Sequence, residues 1–255
     1  MLNQNSITVI ITTYNSANYI NKTLESVFNQ TIKIEKVIIV DDCSFDFNQL
    51  EKNINEKKFI KKNISIELIK NKENKGPGFS RNVAWDKINT EYIAFLDSDD
   101  IWETNKLEKQ LNIFRSKNNL TLVATAKNRK FPNFKTGFVE PYNLIFRNLI
   151  PLSSVLIKSK ITHRFAEKYY SEDYDLWLNL LFNDFRAYLI NERLCYENSQ
   201  ISKKNLSNNY LSMTIETQKT LFKIYYKKKS YFLLILLANV FEMIKFILRI
   251  LKSQK

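Results

Sequence analysis

Glycine occurs only three times in 255 residues, at positions 76, 78 and 137, so a collagen-like repeat and a Gly-rich linker are excluded. A glycine-fingerprint dinucleotide site is excluded too, because Gly76-Pro77-Gly78 is followed by no third glycine. Two cysteines, Cys43 and Cys195, cannot build a disulfide framework or a cysteine-based zinc site, and both read as small packing residues. The single histidine, His163, removes His–His metal sites and argues against a histidine triad. It lies beside Arg164 on a polar stretch and reads as a surface or loop residue. Any metal must therefore be held by carboxylates, which selects Mg2+ or Mn2+. No Lys or Arg precedes Ile7, so the start does not read as a secretory signal. The expected compartment is the cytosol, with both cysteines as thiols.

What is present describes a folded protein: 44% apolar and 25% charged residues, in a length that suits one large domain or one domain with an appendage. The net charge of +13 is unevenly placed. Residues 203–255 carry ten lysines and Arg249 against Glu216 and Glu242, a net +9. The basic surplus is mainly a C-terminal property and points that end toward an anionic surface, lipid or nucleic acid.

The first half alternates short apolar runs with amphipathic stretches. Residues 7–12, 37–40, 64–69, 92–96 and 120–125 read as buried strands. Between them, a helix with the apolar face Ile20, Leu24, Val27 and Phe28 is expected to be capped by Asn15 or Ser16. Residues 78–88 read as a second helix, and Leu107, Leu111 and Phe114 mark a third. The alternation implies an α/β fold, a mostly parallel central sheet flanked by helices, with ligands at the carboxyl ends of the strands.

Those ends are polar and acidic. Strand one runs into Thr13-Tyr14-Asn15, strand two into Asp41-Asp42-Cys43-Ser44, and strand four into Asp97-Ser98-Asp99-Asp100. Five carboxylates at two strand ends are costly unless a cation or hydrogen-bond donors meet them. Between them, Asn74-Lys75-Gly76-Pro77-Gly78 holds two of the three glycines, implying a special backbone path or close ligand approach, with Arg81 placed to contact a phosphate. Each motif alone has a plainer reading, as a turn, a helix cap or a helix-start loop. Their recurrence at successive ends of one sheet favours a site.

Taken in order, Val9 to Asn15, Val40 to Ser44, Asn74 to Asn82, Phe95 to Trp102 and Ser171 to Trp177 resemble the inverting, nucleotide-sugar-dependent glycosyltransferases of family two, over roughly residues 5–203. The resemblance implies a Rossmann-like A-type glycosyltransferase fold, a UDP-linked donor, Mn2+ or Mg2+, and a role in cell-surface polysaccharide synthesis. It places Thr13 and Asp42 or Asp41 at the uracil, and Arg81 near the diphosphate. Tyr14, Asn15, Asn74, Gly76 and Ser98 complete the donor side. Asp97 and Asp99 match the aspartate-any-aspartate motif, Asp99 ligating the metal and Asp97 near ribose or metal. Asp173 takes the place of the general base. There are two departures: Cys43 stands where the family commonly has glycine, and Glu197 begins a stretch, 197–203, that often begins with histidine.

Asp173 opens a helix whose apolar face includes Leu176, Trp177, Leu180 and Leu181, and it shares their inward side. A carboxylate complementing the helix dipole is the plainer alternative, and Glu172 or Asp175 would serve it equally. Ser153, Ser154, Glu172 and Trp177 are assigned to the acceptor side, facing a glycan or a lipid-linked hydroxyl. Two rival classes are weighed. A nucleic-acid-binding protein is disfavoured because aspartates at the strand ends would repel phosphates. A non-catalytic nucleotide-sugar-binding protein leaves Asp173 beside a full metal motif unexplained. A nucleotidyltransferase on a related sheet, ranked below the transferase, would be supported by transfer from a nucleoside triphosphate to a sugar phosphate. Residues 1–205 are read as the catalytic domain and 206–255 as a basic helical extension. In the extension, Glu242, Lys245, Arg249 and Lys252 fall in one arc of ~80° opposite a wide apolar face. Charges make it a poor membrane span, and a helix lying in an anionic membrane surface fits better, peripheral on the cytoplasmic side. Packing on the catalytic domain, or on a second copy in a homo-oligomer, is the alternative.

Overall fold

A computed structural model describes residues 5–55, 64–132, 134–198 and 209–253. Within them the chain alternates as the apolar runs dictate: β1 (Ile7–Thr13), α1 (Ile20–Phe28), β2 (Lys36–Asp41), α2 (Phe47–Ile54), β3 (Ser65–Lys70), α3 (Pro77–Trp85) and β4 (Tyr92–Asp97). There follow β5 (Asp100–Trp102), α4 (Lys106–Ser116), β6 (Leu122–Lys127), β7 (Gly137–Val139), α5 (Pro141–Phe146) and β8 (Leu156–Lys158). The last elements are α6 (Glu172–Phe182), β9 (Ala187–Glu197), α7 (Tyr210–Lys227) and α8 (Phe232–Ser253).

One sheet runs in the order β3-β2-β1-β4-β8-β6-β9-β5, with β7 beside β9. Its long pairings, β3–β2, β2–β1, β1–β4 and β6–β9, are parallel. The short pairings made by β8, β5 and β7 are antiparallel. Because β8 is antiparallel to both β4 and β6, β6 points the same way as β4. The carboxyl ends of β1, β2, β4 and β6 therefore share one edge. Side chains alternate across the sheet with period two. Ile10, Ile38, Val40 and Phe95 join the core beneath α3 and α6, while Val9, Ile11, Ile39 and Leu96 join the one beneath α1 and α4.

Local starts differ from the sequence expectation in two places. α1 begins at Ile20 with no side-chain cap. Ser16 supplies only its carbonyl, to the Tyr19 and Ile20 amides, and its hydroxyl turns to Thr13 and Ser98 instead. α3 begins one residue early, at Pro77, whose fixed φ suits the first helical position and whose missing N–H costs nothing there.

α7 is fastened to α6: Thr220 Oγ1 donates to Asp175 Oδ1 at 2.9 Å and Lys168 pairs with Glu216 at 3.6 Å. The domain boundary expected at 205 lies outside the described residues. α8 packs on α5 and α7 through a stripe of Ile235, Ala238 and Glu242, and Lys245 Nζ donates to the Phe146 carbonyl at 2.9 Å while pairing with Glu242. Leu233, Leu237, Val240, Ile244, Leu248 and Leu251 point outward, each 48–66% exposed. Two corrections follow. The charged arc of α8, at Glu242 and Lys245, faces the protein and not the surroundings. The segment Lys229–Leu248 is also long and apolar enough, by length and composition, to cross a membrane.

Candidate active site

The first strand end is a small hydroxyl network: Thr13 Oγ1 and Ser16 Oγ lie 2.5 Å apart, and Ser98 Oγ donates to Ser16 Oγ at 2.9 Å. Asn15 sits at φ 52°, and its backbone N–H donates to Ser44 Oγ, while Asn15 Oδ1 accepts from the Phe45 N–H. Asp41, completely buried, accepts from the Ser44 amide at 2.9 Å and from the Ser44 hydroxyl. Asp42 accepts from Asn71 Nδ2 and from the backbone amides of Lys75 and Gly76, at 2.9, 3.0 and 2.7 Å. Both carboxylates thus organise loops. Only Asp42 keeps any exposure, with Tyr14 and Phe45 standing open beside it. Cys43 adopts φ 65°, the left-handed region that glycine occupies without strain.

The glycine loop is held as tightly. Tyr169 Oη donates to the Asn74 carbonyl at 2.9 Å, and its ring lies 3.2 Å from where a Cβ on Gly76 would stand. A Cβ on Gly78 would meet the Ala166 carbonyl oxygen at 2.3 Å, so no larger residue fits. Asn74 Oδ1 is buried without a hydrogen-bond partner among the described residues.

At the end of β4, carboxylate oxygens of Asp97, Asp99 and Asp100 lie within 4.8 Å of one another. Asp100 is fully buried, and its charge is met by Lys127 Nζ at 2.7 Å. Burial, with Asp97 and Asp99 adding to it and Lys127 opposing, pushes the Asp100 carboxyl up to about 7. Burial and then Asp97 raise Asp99 in the same sense. Three carboxylates converge with Lys127 and one arm of Arg81 as their cations, and an all-oxygen donor set with negative charge to spare fits a divalent ion. Lys127, which the motif reading missed, closes β6 at the shared edge, and that position was its only signal in the sequence. Glu197 stands opposite Asp100 in the β5–β9 ladder, 3.9 Å from Lys127, and residues 199–203 of that stretch lie outside the described residues.

The expected base sits across from this cluster. Ser171 adopts φ 55°, turning the chain into α6. Asp173 Oδ1 accepts from the Tyr174 amide at 2.7 Å, and Oδ2 lies 3.3 Å from Asn148 Nδ2. Burial pushes the Asp173 carboxyl up to about 7, helped by Glu172 and Asp97 and opposed by Arg81.

Several of the expected site residues make contacts within the protein. Arg81 is buried, with one nitrogen on Asp97 at 2.9 Å and another on Glu172 at 2.5 Å, so its guanidinium ties the end of β4 to α6. Glu172 is that buried partner, 7% exposed. Trp177 is fully buried against Phe165 and belongs to the core. Ser154 is likewise buried, its hydroxyl on the Pro151 carbonyl. Ser153 Oγ accepts from the Asp97 amide at 3.1 Å, and its carbonyl accepts from Trp102 Nε1, which makes it a strut beneath the metal motif.

Comparison with known proteins matches residues 8–169 to the family described as Glycosyl transferase family 2. An uncharacterised glycosyltransferase of Methanocaldococcus jannaschii is 31% identical, over 96% of this chain and 92% of the relative. The Escherichia coli UDP-Glc:alpha-D-GlcNAc-diphosphoundecaprenol beta-1,3-glucosyltransferase WfgD is 30% identical, over 80% of each chain. Among solved structures, the mannosyltransferase PcManGT of Pyrobaculum calidifontis, in complex with GDP-Man and Mn2+, superposes with a TM-score of 0.69. That match, at 16% identity, covers 97% of this chain and 74% of that one, and it shows a shared fold.

Proposed function

Given that the chain belongs to glycosyl transferase family 2 and has the A-type glycosyltransferase fold, we propose that it moves a sugar from a UDP-linked donor to a hydroxyl of a lipid-linked acceptor, with inversion and with Asp173 as general base. One observation carries this reading. Arg81 is bonded to Asp97 on one side and to Glu172 on the other, which holds the residue next to Glu172, Asp173, against the carboxylate cluster at a fixed separation. A base must face the reacting centre while the leaving diphosphate meets cationic stabilisation.

Asp97 and Asp99, with Asp100 behind them, would hold Mn2+ or Mg2+. Such an ion, when bound, neutralises charge developing on the leaving diphosphate. Thr13, Asp42 and the Tyr14–Asn15 turn form the wall assigned to the nucleotide, and the Asn74–Gly76 loop closes its rim. Asp173 takes the proton of the acceptor hydroxyl as that oxygen bonds to the anomeric carbon. The bond from that carbon to the diphosphate breaks, its electron pair leaves on the nucleotide, and configuration inverts. A carboxyl raised toward about 7 is a stronger base than an ordinary aspartate, which supports the assignment. Asn148 orients it.

The outward face of α8 is assigned to the membrane interface, on its cytoplasmic side, with Lys228 and Lys229 at anionic headgroups. A lipid-linked acceptor, as in the name of the Escherichia coli relative, suits that placement. The test compares Asp173→Asn with Glu172→Gln in transfer assays over a panel of nucleotide sugars with Mn2+. Asp173→Asn should lower turnover by ~10²–10⁴ with donor binding retained. Near-normal turnover in Asp173→Asn would refute the base assignment.

A further inference from the structure

Three exposed cations flank Phe131, two just before it in the chain and one over its ring, and have no ion pair among the described residues: Arg129, Lys130 and Arg147. β6 runs parallel to β4, so the loop that follows it, with Arg129 and Lys130, rises at the edge that carries Asp97. The next residue of that loop, Phe131, is anchored: its amide donates to Asn191 Oδ1, and its ring lies 4.9 Å under the Arg147 guanidinium. The patch is therefore held in place, and its charges face solvent.

Arg147 occupies a particular position in the chain. Phe146, just before it, is fixed to the apolar helix α8 by Lys245 on its carbonyl and by Phe241 against its ring, 6.2 Å between centroids. Asn148, just after it, touches Asp173. Three consecutive residues, spanning at most ~10 Å, thus lead from the membrane-side helix to the base. An acceptor sugar offered to Asp173 from a lipid would carry its anionic linkage past Arg147. Guanidinium groups suit phosphate oxygens because their donors form a fixed planar fork.

We propose that Arg147, with Arg129 and Lys130, receives the diphosphate that joins an acceptor sugar to its lipid. The site rests on the lipid-linked reading above, and the experiment separates the two. Initial rates are measured with a panel of decyl diphospho-sugars and with the matching decyl glycosides, which lack the diphosphate, at saturating UDP-sugar. In Arg147→Gln the KM for the diphospho-sugar should rise about tenfold with kcat little changed, and the glycoside KM should not follow it. The pair Arg129→Gln/Lys130→Gln should move the same parameter in the same direction. Inorganic diphosphate should compete with the diphospho-sugar in the unmodified protein and compete less in Arg147→Gln. Equal effects on both acceptors, or none on either, overturn the site while leaving the transferase reading intact. A loss of binding to anionic vesicles with the diphospho-sugar KM unchanged also overturns it, since the patch would then read lipid headgroups. An unmodified protein that uses both acceptors with the same KM removes the lipid-diphosphate reading itself.

Discussion

The carboxyl edge of the sheet and the C-terminal helix α8 are built on opposite rules. At the edge, polar groups are buried and satisfy one another: Asp41 on Ser44, Asp42 on two backbone amides, Arg81 between Asp97 and Glu172. On α8 the charged pair Glu242–Lys245 is tucked against the protein and leucines and isoleucines stand in the open. Polar burial of the first kind is tolerable where partners are supplied, and those partners fix the geometry of the edge, while Asn74 Oδ1 and the Asp97–Asp99–Asp100 cluster keep unmet capacity there. An apolar face as wide as that of α8 is unfavourable in water and marks a surface meant to be covered. The edge concentrates buried charge, and the helix concentrates exposed apolar surface.

The largest effect should come from breaking the edge at its metal motif. Asp99→Asn, or excess chelator with the unmodified chain, should reduce transfer by ~10³ or more, because the stabilisation an ion gives a leaving diphosphate amounts to several kcal/mol. Without metal, thermal unfolding of Asp99→Asn should fall no lower than that of the unmodified chain, since Asp99 forms no ion pair among the described residues and burial with Asp97 disfavours its charge. Full transfer in chelator rejects the ion. Next in size is Arg81→Met, which leaves Asp97 and Glu172 without their shared cation. Removing one partner of a buried pair costs ~3–5 kcal/mol, and chemical denaturation should show it. Adding Glu172→Gln should recover part of the loss, because one of the two stranded charges is gone. A double variant no more stable than Arg81→Met would mean that Glu172 is compensated by some other group.

The same comparison on the helix predicts a smaller effect. Leu237 and Ile244 are about half exposed, so each contributes roughly 1 kcal/mol to apolar contact if that face enters a bilayer. Changing both to Gln, which removes the apolar contact without adding charge, should weaken binding to anionic vesicles by ~10–30-fold in flotation and leave the fold unaltered. Unchanged vesicle binding together with loss of a dimer in sedimentation would instead assign the face to a second copy of the chain.

The edge was largely legible in the sequence because a parallel sheet places each strand's last residues at the same rim: Thr13 and Asp97 close their strands, and Asp42 and Asp99 follow within two residues of the ends. What was not legible depends on which distant segments meet. Arg81 pairs with a residue 91 positions away, a contact no local pattern encodes. Trp177 shares a helix face with Asp173 but stands about 6 Å further along the axis, enough to take it from the mouth of the site into the core. For α8, amphipathic periodicity gave the two faces correctly. It carried no information about which one the protein would cover, because the covered stripe mixes Ile235 and Ala238 with Glu242 and leaves most of the wide apolar face outside.

The smallest effect concerns Asp173, and it separates a carboxylate of the edge that organises structure from one kept for chemistry. Asp41 and Asp42 are met by hydrogen-bond donors. Asp173 has the Tyr174 amide and Asn148, and around it stand Glu172 on its own helix, Asp97 from β4 and Arg81 from α3. Burial and the two carboxylates outweigh Arg81, so its folded-state value, about 7, lies above the ~3.9 of an unfolded aspartate. Between those values the folded chain binds the extra proton, so Asp173 supports folding fully below about 4 and loses that contribution as pH rises through about 7. Asparagine keeps the shape and carries no charge at any pH. Asp173→Asn should therefore match the unmodified chain near pH 4 and melt a few degrees higher near pH 8, with chelator present so that no ion shifts the balance. A higher melting temperature in the variant that loses turnover is the mark of a residue held in an unfavourable state for catalysis. A variant that melts lower at pH 8 would make Asp173 a structural carboxylate of the same kind as Asp41, and the base would have to be sought elsewhere on the acceptor side.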